Sequence, residues 1–108
     1  MTYADRVLEA LGDPTRRTVF KRLQGGARSV TEIADGMDVS RPAVSQHLAV
    51  LKAARLVTDR AEGTRRLYTV DQRGIAAVRD WLDGFWDKTL AAFKAAAEHE
   101  ATKERKPS

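Results

Sequence analysis

Cysteine is absent from this chain of 108 residues, which excludes disulfides, thiolate metal sites and thiol nucleophiles. Histidine occurs only as His47 and His99, so the chain offers few imidazole ligands to a metal. No stretch approaches the roughly 18 consecutive apolar residues of a membrane span, and we expect no membrane partner. The first residues lack a basic segment followed by an apolar one, so we predict no signal peptide and a cytoplasmic protein.

The composition is typical of one packed domain. Hydrophobic residues make up 43% of the chain and charged residues 31%, which suits a core that needs no disulfide or metal. The length leaves no room for a second domain of ordinary size. We predict a single domain over residues 1–101 and a polar, frayed tail over 102–108.

Capping signals predict four helices in the first half of the chain. The predicted N-caps are Thr2, Asp13, either Ser29 or Thr31, and Ser40, because these side chains can accept hydrogen bonds from the unpaired amides of a first helical turn. The predicted ends lie at Leu11, near Gly25, before Asp38 and near Ala54. We call the last of these helices, which begins at Ser40, the reading helix.

The second half begins with two predicted strands and ends with one long helix. Residues 56–61 and 66–70 are the strands, and Gly63 supplies the positive φ that a tight hairpin requires. A helix is predicted from about residue 71 to 101. The fold class is therefore mainly helical with a small hairpin, in the order α-α-α-α-β-β-α, and we predict a winged helix-turn-helix.

The positive charge is concentrated in one part of the chain. The formal net charge is +4, and residues 41–66 contain six Lys or Arg against two Asp or Glu, so the whole excess lies there. A basic segment is often only a solvated face. This basic segment covers the reading helix and the hairpin, and we call the hairpin the wing. Positive charge on these two elements favours nucleic acid as the partner.

The polar face of the reading helix carries residue types that read base edges. Arg suits guanine, Gln suits adenine, and Ser can bind a base or a phosphate. The candidate DNA-binding residues of this helix are Ser40, Arg41, Pro42, Ser45, Gln46, His47 and Lys52. Those of the wing are Arg60, Gly63, Thr64, Arg65 and Arg66. We predict that affinity comes mainly from the wing and selectivity from Arg41, Ser45 and Gln46.

Three segments together resemble the ArsR/SmtB family of winged-helix repressors: residues 10–17, 40–51 and 63–68. The resemblance runs from Leu11 to about Leu90 and implies a homodimer that represses genes at imperfect palindromic operators. One difference is the turn before the reading helix. The family commonly has Gly after an Ala-Leu pair there, whereas this chain has Gly36-Met37-Asp38, and Asp tolerates a left-handed backbone.

The resemblance also raises the question of a sensory metal. The arsenical branch of the family has a cysteine pair near the short helix, where this chain has residues 28–33 without a thiol. The zinc branch has His and carboxylates along the last helix, where this chain has His99 between two Glu residues. A closed zinc site needs about four ligands. We therefore predict no metal and no cofactor.

A stripe of aromatic and other apolar residues runs along one side of the long helix. It is too long for the rest of a small domain to cover. In the family the first and last helices form the dimer, which implies the same here. The candidate interface residues are Tyr3, Val7, Leu82, Phe85, Trp86, Thr89 and Phe93. A small-molecule or protein inducer is compatible with the sequence, which does not identify one.

Three other functions would each require features of their own. An enzyme is not expected, because Ser45 and His47 point roughly 200° apart on a helix and cannot form a nucleophile–base pair. A winged-helix protein adaptor would need an apolar outer face on the reading helix, and RNA binding usually needs exposed aromatic residues on the basic face. The adaptor stays open as an alternative, as does a metal-responsive repressor with an unrecognised site.

Overall fold

A computed structural model describes residues 2–104 of the chain. The helices are α1 (Tyr3–Ala10), α2 (Pro14–Lys21), α3 (Val30–Ala34), α4 (Arg41–Ala53) and α5 (Gln72–Glu104), and the strands are β1 (Val57–Glu62) and β2 (Arg65–Val70). The strands form one antiparallel hairpin. This order confirms the predicted winged helix-turn-helix, in which α4 is the reading helix and the hairpin is the wing.

Each of the first four helices has a predicted N-cap, and for α3 this residue is Ser29 and not Thr31. Thr2 and Ser29 each make a reciprocal capping box, with Asp5 and Glu32 respectively. Asp13 accepts a hydrogen bond from the Arg16 amide at 3.0 Å, and Ser40 accepts one from the Ala43 amide at 3.2 Å. Each cap satisfies an amide that has no partner inside its helix, and a lost cap typically costs about 1 kcal/mol.

The core is built around the buried face of α4. Val44, Leu48 and Leu51 are fully buried, and their spacing of four and three residues places them on one side of the helix. Helices α2 and α3 and strand β1 pack against this side. The other large side chains enclosed there are Val7, Val19, Leu23, Ile33, Leu56 and Val57. Burial of the apolar face of α4 leaves its polar face outward, and this fixes the orientation of the reading helix.

Several predicted boundaries differ from the structure. Helix α2 ends at Lys21, and the chain reaches Gly25 through consecutive turns. The hairpin is tighter than predicted, because Glu62 pairs with Arg65 and only two residues form the loop. In the turn before α4 the left-handed residue is Gly36, with φ +76°, and not Asp38. Helix α5 includes Thr102, Lys103 and Glu104 of the predicted tail, and residues 105–108 lie outside the described part of the chain.

Arg55 joins the reading helix to the wing with an unusual backbone conformation. Its φ is +58°, and the Leu56 amide donates to the Leu51 carbonyl at 2.9 Å, which closes the helix and reverses the chain into β1. The Tyr3 hydroxyl donates to the Ala54 carbonyl at 2.9 Å, and the Arg55 guanidinium lies 5.8 Å from the centre of the Tyr3 ring. Helix α1 therefore supports the residue that sets the direction of the wing.

The start of α5 also contacts this junction. The Gly74 amide donates to the Arg55 carbonyl at 3.0 Å, and the Asp71 amide donates to the Leu56 carbonyl at 2.8 Å. The chain divides into two compact units, one up to Val78 and one from Arg79 onwards. In the first unit Val78 is partly buried against the core, while Ile75 is 40% exposed.

Replacing Gly74 by Ala should lower the free energy of unfolding by about 2 kcal/mol, because the added methyl overpacks this junction. A Cβ there would lie 2.7 Å from the Arg55 carbonyl oxygen and 2.8 Å from Leu56 Cδ2. Gly84 is the matched control, since a Cβ there meets nothing within 4 Å and Ala favours a helix by up to about 1 kcal/mol. Urea denaturation measures both; equal effects of the two substitutions would contradict the steric explanation.

Candidate nucleic-acid interface

The polar face of α4 is open to solvent along its length. The exposed candidates on it are Ser40, Arg41, Pro42, Ser45, Gln46 and Lys52. The Ser40 hydroxyl already accepts the Ala43 amide, so its first role is to cap the helix. Arg41 makes no ion pair with any described residue, which leaves its guanidinium available to a partner. Apart from the capping residue Ser40, five of the predicted side chains are therefore exposed on the outward side of α4.

His47 is the exception among the predicted residues of the reading helix. It is partly buried, on a helix that packs against α2. The pKa of Asp13, at the start of α2, is held below its usual value, chiefly by the hydrogen bond from the Arg16 amide, with a small contribution from the charge of His47. This position suits packing between helices, and we leave His47 out of the proposed DNA contacts.

The wing presents three arginines around its two-residue loop. Gly63 has a φ of +63°, which gives the tight turn, and Thr64 completes the loop. Arg60, Arg65 and Arg66 are exposed on the two strands that lead to and from it. All the predicted wing residues therefore lie at or near the tip of the hairpin, with Arg60 and Arg65 on one face of it and Arg66 on the other.

Carboxylates pair with the basic side chains of the wing and with Lys52 of α4. Arg65 lies 3.3 Å from Glu32 of α3 and 4.0 Å from Glu62, and Arg60 lies 3.6 Å from Glu62. Asp59 lies 2.8 Å from Lys52 and 3.0 Å from Arg66. These acidic residues are not among those predicted from the sequence. The hairpin register could have indicated Glu62, which pairs directly with Arg65, but no local pattern indicates that Glu32 reaches the wing.

The carboxylates of this network are stabilised in their charged form. The hydrogen bond from Lys52 is the main cause that lowers the pKa of Asp59, and Arg66 adds to it. The backbone and hydroxyl hydrogen bonds of Ser29 lower the pKa of Glu32, with a smaller contribution from the charge of Arg65. Both carboxylates therefore remain negative at neutral pH, and the wing carries a smaller net positive charge than its arginines alone suggest.

Acid should destabilise the protein partly through Asp59. Because its pKa is lower in the folded state than in the unfolded state, its contribution is present above the unfolded value of about 3.9 and is lost as the pH falls through the folded value. Urea denaturation at pH 6 and pH 3 should therefore show a smaller loss of stability for Asp59→Asn than for the unsubstituted protein. An unchanged loss would contradict a role for this carboxylate in acid denaturation.

The second unit, from Arg79 to the end of α5, exposes an apolar stripe. Leu82 is 40% exposed, Phe85 47%, Trp86 53% and Phe93 74%, and Thr89 lies on the same side. Trp81 stacks on Phe85 with ring centres 5.7 Å apart, and Trp86 packs edge-on against Phe85 at 5.4 Å. Most of the exposed large apolar side chains of the described residues therefore lie in this part of α5.

The two predicted interface residues of α1 differ in exposure. Tyr3 is partly buried and uses its hydroxyl to bind the Ala54 carbonyl. Val7 is fully buried in the core and offers no surface to a second subunit, so we leave it out of the proposed interface. The reason is that the apolar face of α1 packs inside its own chain.

Neither a metal cluster nor a membrane helix is found in the described residues. No group of three or more His, Cys, Asp or Glu side chains is placed to hold a metal ion in the described part of the chain. Among helices α1 to α5 as described, none is both long enough and apolar enough to cross a membrane.

An outward-facing polar helix followed by a hairpin lined with arginines defines the chain as a winged helix-turn-helix DNA-binding protein. Comparison with known proteins agrees with this class. Residues 11–60 match the family model described as a helix-turn-helix domain. The chain is 51% identical over 96 residues to an HTH-type transcriptional regulator of Mycobacterium tuberculosis, an alignment that covers 89% of this chain and 90% of the relative.

Two further proteins identify the family. The chain is 31% identical over 84 residues to the transcriptional repressor SdpR of Bacillus subtilis, covering 78% of this chain and 93% of SdpR. It matches the solution structure of a homodimeric winged helix-turn-helix DNA-binding domain from Mycobacterium bovis, described as a possible ArsR-family regulator, with a TM-score of 0.64 and 30% identity over 82% of each chain. The chain belongs to the ArsR/SmtB family of winged helix-turn-helix regulators. It is a DNA-binding transcription regulator and not an enzyme.

Proposed function

We propose that this protein is a cytoplasmic, homodimeric repressor that binds an imperfect palindromic operator. The observation that carries the proposal is the outward face of α4, where Arg41, Ser45 and Gln46 are exposed, together with the exposed arginines of the wing that follows this helix. In this proposal α4 enters the major groove and its exposed side chains contact base edges. Repression follows if the bound protein covers the start of a gene.

Selectivity is assigned to the first half of α4. Arg41 has a free guanidinium that can bind guanine through two hydrogen bonds, and Gln46 can do the same with adenine. Ser45 is short enough to reach either a base or a phosphate. Pro42 presents no amide hydrogen and little bulk, so the end of the helix can approach the floor of the groove closely.

Affinity is assigned mainly to the wing. Arg60, Arg65 and Arg66 are exposed and lie next to the loop, where the sugar–phosphate backbone would pass. Each is paired with a carboxylate at 3.0 to 3.6 Å in the free protein. These pairs are exposed on the arginine side and individually weak, so phosphates can replace or share their partners. Phosphate binding of this kind releases counterions and makes affinity depend on salt.

The dimer is assigned to the apolar stripe of α5, from Leu82 to Phe93, with a contribution from Tyr3. An exposed stripe that contains Phe85, Trp86 and Phe93, with Trp81 stacked against Phe85 at its edge, is unusual for a monomer and marks a surface that associates. The related domain from Mycobacterium bovis is described as homodimeric. Two copies would place two reading helices about one turn of DNA apart, roughly 34 Å, which matches two half-sites of a palindrome.

The first experiment identifies the DNA. Purified protein is used to enrich duplexes from a randomised pool, and the enriched duplexes are sequenced. We expect an imperfect inverted repeat whose half-site centres are about 10 base pairs apart. If the pool yields no shared sequence, the protein is not a sequence-specific regulator. If it yields a motif without two-fold symmetry, the proposed dimeric operator complex is wrong.

The second experiment measures the binding by fluorescence anisotropy at several salt concentrations. The enriched duplex is compared with a scrambled duplex of the same length. We expect the logarithm of the association constant to fall linearly with the logarithm of salt concentration, with a slope near −0.9 for each phosphate neutralised. The Lys94→Ala substitution, which removes a cation from α5, should leave both affinities unchanged. Binding that does not respond to salt would contradict the assignment of the wing.

A further inference from the structure

One buried carboxylate lies between the reading helix and the wing. The side chain of Asp59, on β1, is only 7% exposed. One of its oxygens, Oδ1, lies 2.8 Å from Nζ of Lys52 near the end of α4. The other, Oδ2, accepts a hydrogen bond from Nη1 of Arg66 on β2 at 3.0 Å. A single anion therefore joins a cation of the reading helix to a cation of the wing.

The two cations remain accessible although they are paired. The side chains of Lys52 and Arg66 are 55% and 53% exposed, so each can bind a second anion while it keeps its contact with Asp59. The group of three carries a net charge of +1. Ordering two long basic side chains on binding normally costs side-chain entropy, and Asp59 has removed part of that cost before the partner arrives.

We propose that Asp59 is a positioning residue for DNA recognition, whose carboxylate fixes Lys52 and Arg66 relative to each other so that the reading helix and the wing meet the DNA backbone as one unit. This inference rests on the proposed function. Asp59 itself touches no DNA in this arrangement and acts through the two cations that it holds.

Charge alone argues against a carboxylate at this position. An anion in a face that binds phosphates weakens binding to every DNA sequence, because like charges repel. The carboxylate can raise affinity only for a complex that requires the reading helix and the wing in one fixed arrangement. That complex is the one with a matching DNA sequence. The consequence of Asp59 is therefore selectivity, obtained at the expense of general affinity. A carboxylate that only stabilised the hairpin would have no such opposite effects on the two kinds of complex.

The Asp59→Asn variant tests this prediction, since it removes the charge and keeps the shape of the side chain. Anisotropy is measured with the enriched duplex and with the scrambled duplex. We expect tighter binding of the scrambled duplex and no gain for the enriched one, so that the ratio of the two affinities falls about tenfold, which is a change of about 1.4 kcal/mol in selectivity. The salt slope with the scrambled duplex should steepen by about 0.9, the value for one additional phosphate.

Asp38→Asn is the matched control. Asp38 is exposed in the turn before α4 and makes no ion pair within the described residues, so this variant removes the same charge without releasing a held cation. It should leave the ratio of affinities unchanged. If Asp59→Asn changes both affinities by the same factor, in either direction, Asp59 acts only through charge or stability and the inference is overturned.

A double-mutant cycle keeps the test decisive if Asp59→Asn folds poorly. Lys52→Met and Arg66→Met remove each cation and keep an apolar stem. If Asp59 couples the two, the loss of affinity for the enriched duplex in the double variant should differ at least threefold from the product of the single losses. Agreement with that product would mean that helix and wing bind independently, which overturns the inference. The unsubstituted protein separates the two proposals. If it prefers the enriched duplex but the Asp59→Asn variant or the double-mutant cycle gives the contrary result, the role of Asp59 is refuted and the proposed function stands. If it does not prefer the enriched duplex, the role of Asp59 and the proposed function are both refuted.

Discussion

Replacing Phe85 by Asp should convert the protein from a dimer to a monomer and lower its affinity for the enriched operator at least a hundredfold. The side chain lies in the middle of the exposed stripe of α5, between Trp81 and Trp86, and it contacts both rings. A carboxylate placed there would have to lose its water in a two-fold interface and would face its own copy. Burial of an unpaired charge costs several kcal/mol, more than such an interface can lose.

Sedimentation velocity at micromolar concentration measures the change in mass, and anisotropy measures the affinity. Leu82→Asp should give the same result, because Leu82 lies one turn earlier on the stripe. Ala91→Asp is the matched control: Ala91 is exposed and lies six residues after Phe85, on another side of the helix. This variant should remain dimeric. If Phe85→Asp stays dimeric as well, the stripe is not the interface.

Arg41→Ala should reduce discrimination between operators by about 1 to 3 kcal/mol at one base pair of each half-site, which is the range for a guanidinium bound to a base edge. Arg41 is exposed at the first position of α4, and among the described residues no carboxylate holds it. Its guanidinium is thus free to adopt the geometry that a base requires. Competition with operators changed at single positions measures the loss, and it should be confined to one position per half-site.

Arg65→Ala should behave differently, although it removes the same charge. Arg65 lies on the wing beside Glu32 and Glu62, in a position suited to a phosphate. Its loss should weaken binding to enriched and scrambled duplexes by the same factor and reduce the salt slope by about one phosphate per subunit. If Arg41→Ala and Arg65→Ala gave the same pattern over all duplexes, the division of roles between reading helix and wing would be refuted.

Local sequence patterns predicted most of the helical framework. The caps at Asp13 and Ser40 depend on side chains that bind amides two or three residues away, so they can be recognised without knowledge of the fold. The hairpin was predicted for the same reason, since Gly63 marks its loop. The buried face of α4 follows from spacing alone. These features need information from only one or two helical turns or from one hairpin.

The structure differs from the predictions where a local sequence pattern is compatible with two different surroundings of the same residue. The family resemblance made Val7 a candidate for the dimer interface, but an apolar residue of α1 can be covered by its own chain or by a second one, and Val7 is buried in its own chain. Likewise His47 lies at the edge of the buried face of α4, and only the position of α2 decides which side it meets. The contact between Glu32 and Arg65 joins residues 33 positions apart, so no local pattern contains it.

The contact between α5 and the end of the reading helix protects one backbone amide whose hydrogen exchange can be followed. The first amides of a helix have no partner inside it and usually bind a capping side chain or water. In this chain the Gly74 amide is bound instead to the Arg55 carbonyl, at the point where α4 turns into the wing. Exchange of that hydrogen for deuterium therefore requires the junction to open. The exchange rate of this one backbone amide should measure how often the start of α5 separates from the residue that links the reading helix to the wing.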